Sequence, residues 1–168
     1  MLPTLDHLLL GLLSYWVVYL IAKKLIEPGL TKDLKRLEAQ HGQLDPARKP
    51  HFSLWDKCIL APFGEEISLR GAVLLVLFAA GPIAALAMNI LSAVVFSLVH
   101  QFNEPEYFAD GTEFYKYRQK PVLYYLGMHG FGYGLCVIAT GSLWPAIIGH
   151  TFNNVRAALA DPSLFKKN

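Results

Sequence analysis

The chain has 168 residues, 54% of them hydrophobic and only 17% charged, with a formal net charge of +2. That length suits one ordinary domain, and the charged share falls below the roughly one quarter usual in soluble domains. The composition is that of a membrane protein, and the small net charge excludes a general electrostatic attraction to nucleic acid.

Taken in order, residues 8–22 form an uncharged run followed by Lys23 and Lys24. With the preceding residues the run approaches the roughly 20 needed to cross a bilayer. A signal peptide would carry its positive charges ahead of the apolar core and small residues at a cleavage point. Here the lysines follow the run and no Ala-x-Ala comes after it, so 1–26 reads as a retained transmembrane helix. Residues 27–57 are polar, but Leu30, Leu34 and Leu37 recur at helical spacing, with Thr31 a fair N-cap and Gly42 a fair C-cap. This predicts a short amphipathic connector on the membrane surface or a solvated helix, with Lys32, Lys35, Arg36 and Glu38 on the polar side.

The remaining bundle, 58–160, opens on Phe63-Gly-Glu65-Glu66-Ile-Ser-Leu-Arg70, which sets two carboxylates and a guanidinium between uncharged stretches. Three more apolar stretches follow, 82–99, 121–140 and 143–160. The breaks at Gly81-Pro82 and Gly141-Ser142 are short enough to make tight antiparallel hairpins. The fold expected is all-α: a polytopic membrane helix bundle of about five transmembrane helices, plus the surface helix and a polar tail at 161–168. Gly127, Gly130, Gly132 and Gly134 mark a face where another helix approaches closely. Cys58 and Cys136 lack metal-type spacing and read as buried free thiols.

In this five-span arrangement every lysine and arginine except Arg70 lies on or toward one side. By the positive-inside rule that side is cytoplasmic, with the N-terminus outside and the C-terminus inside. Tyr107, Phe108, Phe114, Tyr115 and Tyr117 fit an interfacial belt on that side, or a lid or substrate-contact loop.

Ionisable and amide groups inside apolar spans are costly and mark function. They are Glu65, Glu66, Arg70, Asn89, His100, His129, His150, Asn153, Asn154 and Arg156. Glu66 with Arg70, Phe96 with His100, and His150 with Asn154 are each four apart and share a helix face. Glu66 and Arg70 suit an ion pair in the favourable order, leaving Glu65 rotated away and unpaired. Counted from the outward turns at about 1.5 Å per residue, Glu65 and His100 lie roughly 24 to 29 Å in, Asn154 near 20 Å and His150 nearer 14 Å. They converge only if the last helix is tilted or shifted inward.

Glu65-Glu66-x-x-x-Arg70, then Phe96-x-x-x-His100, then His150-x-x-x-Asn154 resemble, in that order, the motifs of the CPBP intramembrane proteases, also called the CAAX-protease and bacteriocin-processing family. The resemblance covers about 62–155. It implies a glutamate-dependent endopeptidase in which Glu65 and His100 activate a water and His150 with Asn154 forms the oxyanion hole. Glu66, Arg70 and Phe96 then support the site. The implied partner is a membrane-anchored protein or peptide in a prokaryotic inner membrane. The chain is shorter than the larger members, which bears on substrate more than on mechanism.

Chemistry supports these roles independently of the family. Amide hydrolysis needs a base for water, a proton for the leaving amine and donors for the oxyanion. No nucleophile motif and no His-Glu-x-x-His zinc motif competes. Each residue also has a structural reading: an ion pair for Glu66 and Arg70, a second structural carboxylate for Glu65, a satisfied buried histidine for His100, inter-helix hydrogen bonding for His150 and Asn154, and packing for His129, Asn153 and Asn89. No cofactor is expected. A zinc site from Glu65, Glu66, His100 and His150 is chemically possible, but Arg70 beside those carboxylates opposes a cation. The alternative functions are a non-enzymatic immunity or scaffold protein of the same fold, a proton-handling transporter, and a protease of C-terminal sorting tails on exported proteins.

Overall fold

A computed structural model describes residues 4–48 and 53–160; the polar tail and Lys49 fall outside them. Five helices carry the chain: α1 (Leu5–Leu25), α2 (Glu27–His41), α3 (Ala61–Val99), α4 (Lys120–Thr140) and α5 (Trp144–Leu159). Three stretches are long and apolar enough to cross a membrane, Leu5–Leu25, Asp56–Phe102 and Lys120–Thr140. The middle one is two helices. Gly81 has φ 81° and ψ −179°, outside the helical region, and Pro82 follows it. A left-handed φ is readily available only to glycine, and proline cannot supply the N–H that would continue the ladder. The chain therefore folds back, and Ser92 Oγ donates to the Leu69 carbonyl at 3.2 Å across the hairpin. Counting the two limbs of α3, 61–80 and 82–99, the bundle has five helical segments. The last, α5, has 16 residues and is the shortest of them.

The second break is also a glycine turn, with Gly141 at φ 62° and its N–H on the Val137 carbonyl. Helix α4 packs against both limbs of α3, while α1 covers α5 and α4. Tyr133, Val137 and Ala146, with Leu74 and Leu143 against them, form the buried apolar centre. The outer faces are apolar and exposed, as at Leu75, Phe78, Ile83 and Ile90, which is what a hydrocarbon solvent requires.

The surface helix begins earlier than its leucine spacing indicates. Helix α2 starts at Glu27 with Pro28 in the first helical positions, so Thr31 is interior and not a cap; Gly42, at φ 82°, ends it as expected. Proline is favoured at that first position because its missing N–H is unpaired there anyway. The helix packs against α1 and α4. The loop after α3 is built as well as charged. Strands Glu106–Tyr107 and Glu113–Phe114 pair antiparallel, and Leu44 bridges to Phe108. Phe108 and Phe114 are buried, with ring centroids 5.5 Å apart, so this part of the aromatic belt is a small core of its own.

Candidate active site

The glycines of α4 are where the site begins. A Cβ at Gly130 would stand 2.6 Å from Arg70 Nη2, and one at Gly134 would overlap the Asn89 amide. Their role is thus to admit polar side chains from α3 as well as to bring helices close. Asn89, fully buried, donates from Nδ2 to the Phe131 carbonyl at 3.0 Å and ties the second limb to α4.

Glu66 and Arg70 are both fully buried, with Arg70 Nε 3.2 Å from Glu66 Oε2. The geometry is off-axis: among the described residues Nε, Nη1 and Nη2 have no hydrogen-bond acceptor. The pairing is therefore mainly coulombic, and the Phe96 ring lies under the guanidinium at 4.6 Å. Phe96 also touches the rings of His100 at 4.6 Å and of His150 at 5.7 Å. It is the apolar hub of three polar groups.

The other oxygen of Glu66 receives His150. Nδ1 of His150 lies 2.8 Å from Glu66 Oε1; an ionised carboxylate only accepts, so Nδ1 carries the proton. Nε2 then faces Glu65 Oε2 at 3.8 Å. His100 is fixed in the same way, its Nδ1 donating to the Phe96 carbonyl at 2.7 Å. Its Nε2 faces Glu65 Oε2 at 4.0 Å. Three helical segments thus aim two imidazole Nε2 atoms at one glutamate oxygen, itself buried and without a hydrogen-bond partner among the described residues.

His150 reaches this cluster because α5 starts deeper than equal turn levels would place it. A Cβ at Gly141 would lie 3.7 Å from the Phe78 ring, about one helical turn inward of Gly81. Gly149 then lets α5 close on α1 and Tyr133, since a Cβ there would meet the Gly11 carbonyl at 2.8 Å.

Asn154 is near but differently engaged: Nδ2 donates to the Lys57 carbonyl at 2.8 Å. That carbonyl is free for a reason written in the sequence. Asp56–Leu60 is a π-turn in which the Ala61 N–H reaches the Asp56 carbonyl. The next bond in that pattern would need an N–H on residue 62, which is proline.

Tyr133 gave no signal in the sequence. Its ring stacks on His150 at 5.7 Å and 19°, and its hydroxyl lies 3.1 Å from His129 Nδ1. His129 thus belongs to a buried chain behind His150, while Asn153 accepts from the Tyr125 hydroxyl at 3.1 Å. Arg156 stacks over Tyr19 at 4.3 Å. Cys58 and Cys136 are buried free thiols. Among the described residues no group of three or more His, Cys, Asp or Glu side chains is arranged to hold a metal ion.

No curated protein and no solved structure matches this chain. Residues 48–156 match the family described as type II CAAX prenyl endopeptidase Rce1-like, a span that takes in the motif limbs of α3, all of α4 and the site residues of α5. The chain is therefore a membrane protein of the Rce1-like type II CAAX prenyl endopeptidase family.

Proposed function

We propose that the chain hydrolyses a peptide bond of a membrane-anchored protein or peptide with a water held between Glu65 and His100. The carrying observation is that His100 Nδ1 is committed to the Phe96 carbonyl, which leaves Nε2 as an acceptor facing Glu65 at 4.0 Å. Two acceptors that far apart are beyond hydrogen bonding to each other. One water donating a hydrogen to each spans about 4 to 5 Å and has its oxygen lone pairs turned outward as the nucleophile. Glu65 takes a proton as the water attacks and returns it to the departing amine.

His150 and Asn154 stabilise the oxyanion. Asn154 gives one amide hydrogen to Lys57 and has the second for the substrate. His150, held by Glu66 through Nδ1, offers the oxyanion a hydrogen from Nε2 in its doubly protonated form. Arg70 in turn lies against the other oxygen of Glu66 at 3.2 Å. The 101–119 loop lies beside the site, the Tyr117 ring 5.8 Å from that of His100, and in this reading water enters from that side. The lysine and arginine distribution makes that side cytoplasmic.

The test is to place the parent and His100→Ala in vesicles with a membrane-protein extract and to compare products by mass spectrometry. New termini that appear only with the parent support the reading. Identical product sets would sink it.

A further inference from the structure

We propose that the elbow between α1 and α2 binds the phosphate-bearing headgroup of an anionic phospholipid. A groove of about 530 Å³ there is lined by Lys23, Pro28, Thr31, Lys32 and Lys35. The four α2 residues follow a three-and-four spacing and share one helix face, turned toward Lys23 in the last turn of α1. All three lysines are exposed. Lys23 has the Tyr19 ring 5.9 Å from its Nζ. None of the three has a carboxylate within ion-pair distance among the described residues, and nearby Asp33 is taken by Arg36 at 3.9 Å. Three like charges gathered without a counter-ion repel one another, and an anion among them removes that cost.

The location selects a lipid over a soluble phosphate. Lys23 closes a membrane-length helix, which places the groove at headgroup level, and exposed Leu20, Ile21 and Leu25 offer apolar surface beside it for acyl chains. The site is separate from the Glu65 cluster and does not depend on the proposed chemistry.

Native mass spectrometry of the detergent-purified chain with added phosphatidylglycerol or phosphatidylcholine tests the assignment. The parent should retain phosphatidylglycerol preferentially. Each lysine removed in Lys23→Gln/Lys32→Gln/Lys35→Gln should weaken that lipid roughly fivefold, whereas arginine at all three positions and the control Lys116→Gln/Lys120→Gln should keep it. Circular dichroism checks that the triple variant is folded; if it is not, Lys32→Gln/Lys35→Gln alone, on an exposed face, should still lose most of the preference. Equal retention of the two lipids by the parent, or unchanged binding in folded variants, would overturn the proposal. Displacement of the lipid by millimolar inorganic phosphate would make this a soluble-anion site and overturn it equally.

Discussion

Removing the charge of Glu66 should destabilise the bundle more than removing the charge of Arg70. Both side chains are fully buried, but their partners are unequal. Glu66 has Arg70 and also His150 at 2.8 Å, whereas Glu66 is the one carboxylate within ion-pair distance of Arg70 among the described residues. Glu66→Gln therefore leaves a buried guanidinium with no counter-charge, at about 3 to 5 kcal/mol. In Arg70→Met the carboxylate keeps its hydrogen bond from the His150 imidazole, and the loss should be about 1 to 3 kcal/mol. At about 2 to 4 °C per kcal/mol for a chain of this size, Glu66→Gln should lower the Tm in detergent by roughly 6 to 20 °C. The double variant should lose less than the two single losses added, because neither charge is then stranded. Thermal unfolding followed by circular dichroism measures all four proteins. Parent-like Tm values for Glu66→Gln, or strict additivity in the double variant, would refute the reasoning.

Other outcomes follow from the same geometry. Gly130→Ala should destabilise by about 1 to 3 kcal/mol, since a Cβ would stand 2.6 Å from Arg70 Nη2 beside the Ala93 backbone; denaturant midpoints at constant slope check this. Asn154→Ala should lower single-turnover cleavage by about 10² to 10³ with unchanged substrate binding, the usual size for one oxyanion donor, whereas a pure affinity loss would make Asn154 a substrate contact. The Asp110 carboxyl is held below its ordinary value of 3.8 by the Thr112 backbone N–H and next by His41. A depressed folded value gives stability that is full above the ordinary value and lost progressively as pH falls from there through the depressed folded value. Protection against hydrogen exchange at Thr112 and Phe114, taken relative to the intrinsic rate at each pH, should therefore fall below about pH 4 in the parent, with no such pH step in Asp110→Asn. Strong chelators should leave cleavage intact; loss of activity restored by zinc would revive the metal alternative.

Much of this arrangement is legible in the residues, and the remainder has identifiable causes. The Glu66–Arg70 pair follows from spacing alone, and the hairpin from Gly81-Pro82, because each is a local property of the chain. The convergence of His150 is a tertiary property. Depth counted from two turns assumes that the turns lie level, and the placement of Gly141 beside Phe78 breaks that assumption. The early start of α2 was signalled by Pro28, which competes with Thr31 as a starting signal and prevails because proline fixes the first turn. The Asn154 tether was latent in Pro62, whose missing N–H frees the Lys57 carbonyl, but nothing local names the acceptor's partner. Tyr133 sits among other aromatics and glycines of α4, so only packing distinguishes it.

The most direct test of the central claim uses single-turnover cleavage of a substrate identified from the vesicle products, with parent and Glu65→Gln reconstituted side by side. The substitution is nearly isosteric, and Glu65 is paired to no arginine or lysine among the described residues, so the variant should keep the parent's Tm within a few degrees. Its cleavage rate should fall by at least about 10³, because an amide cannot take the proton from water. A folded Glu65→Gln protein that cleaves at the parent's rate would contradict the account.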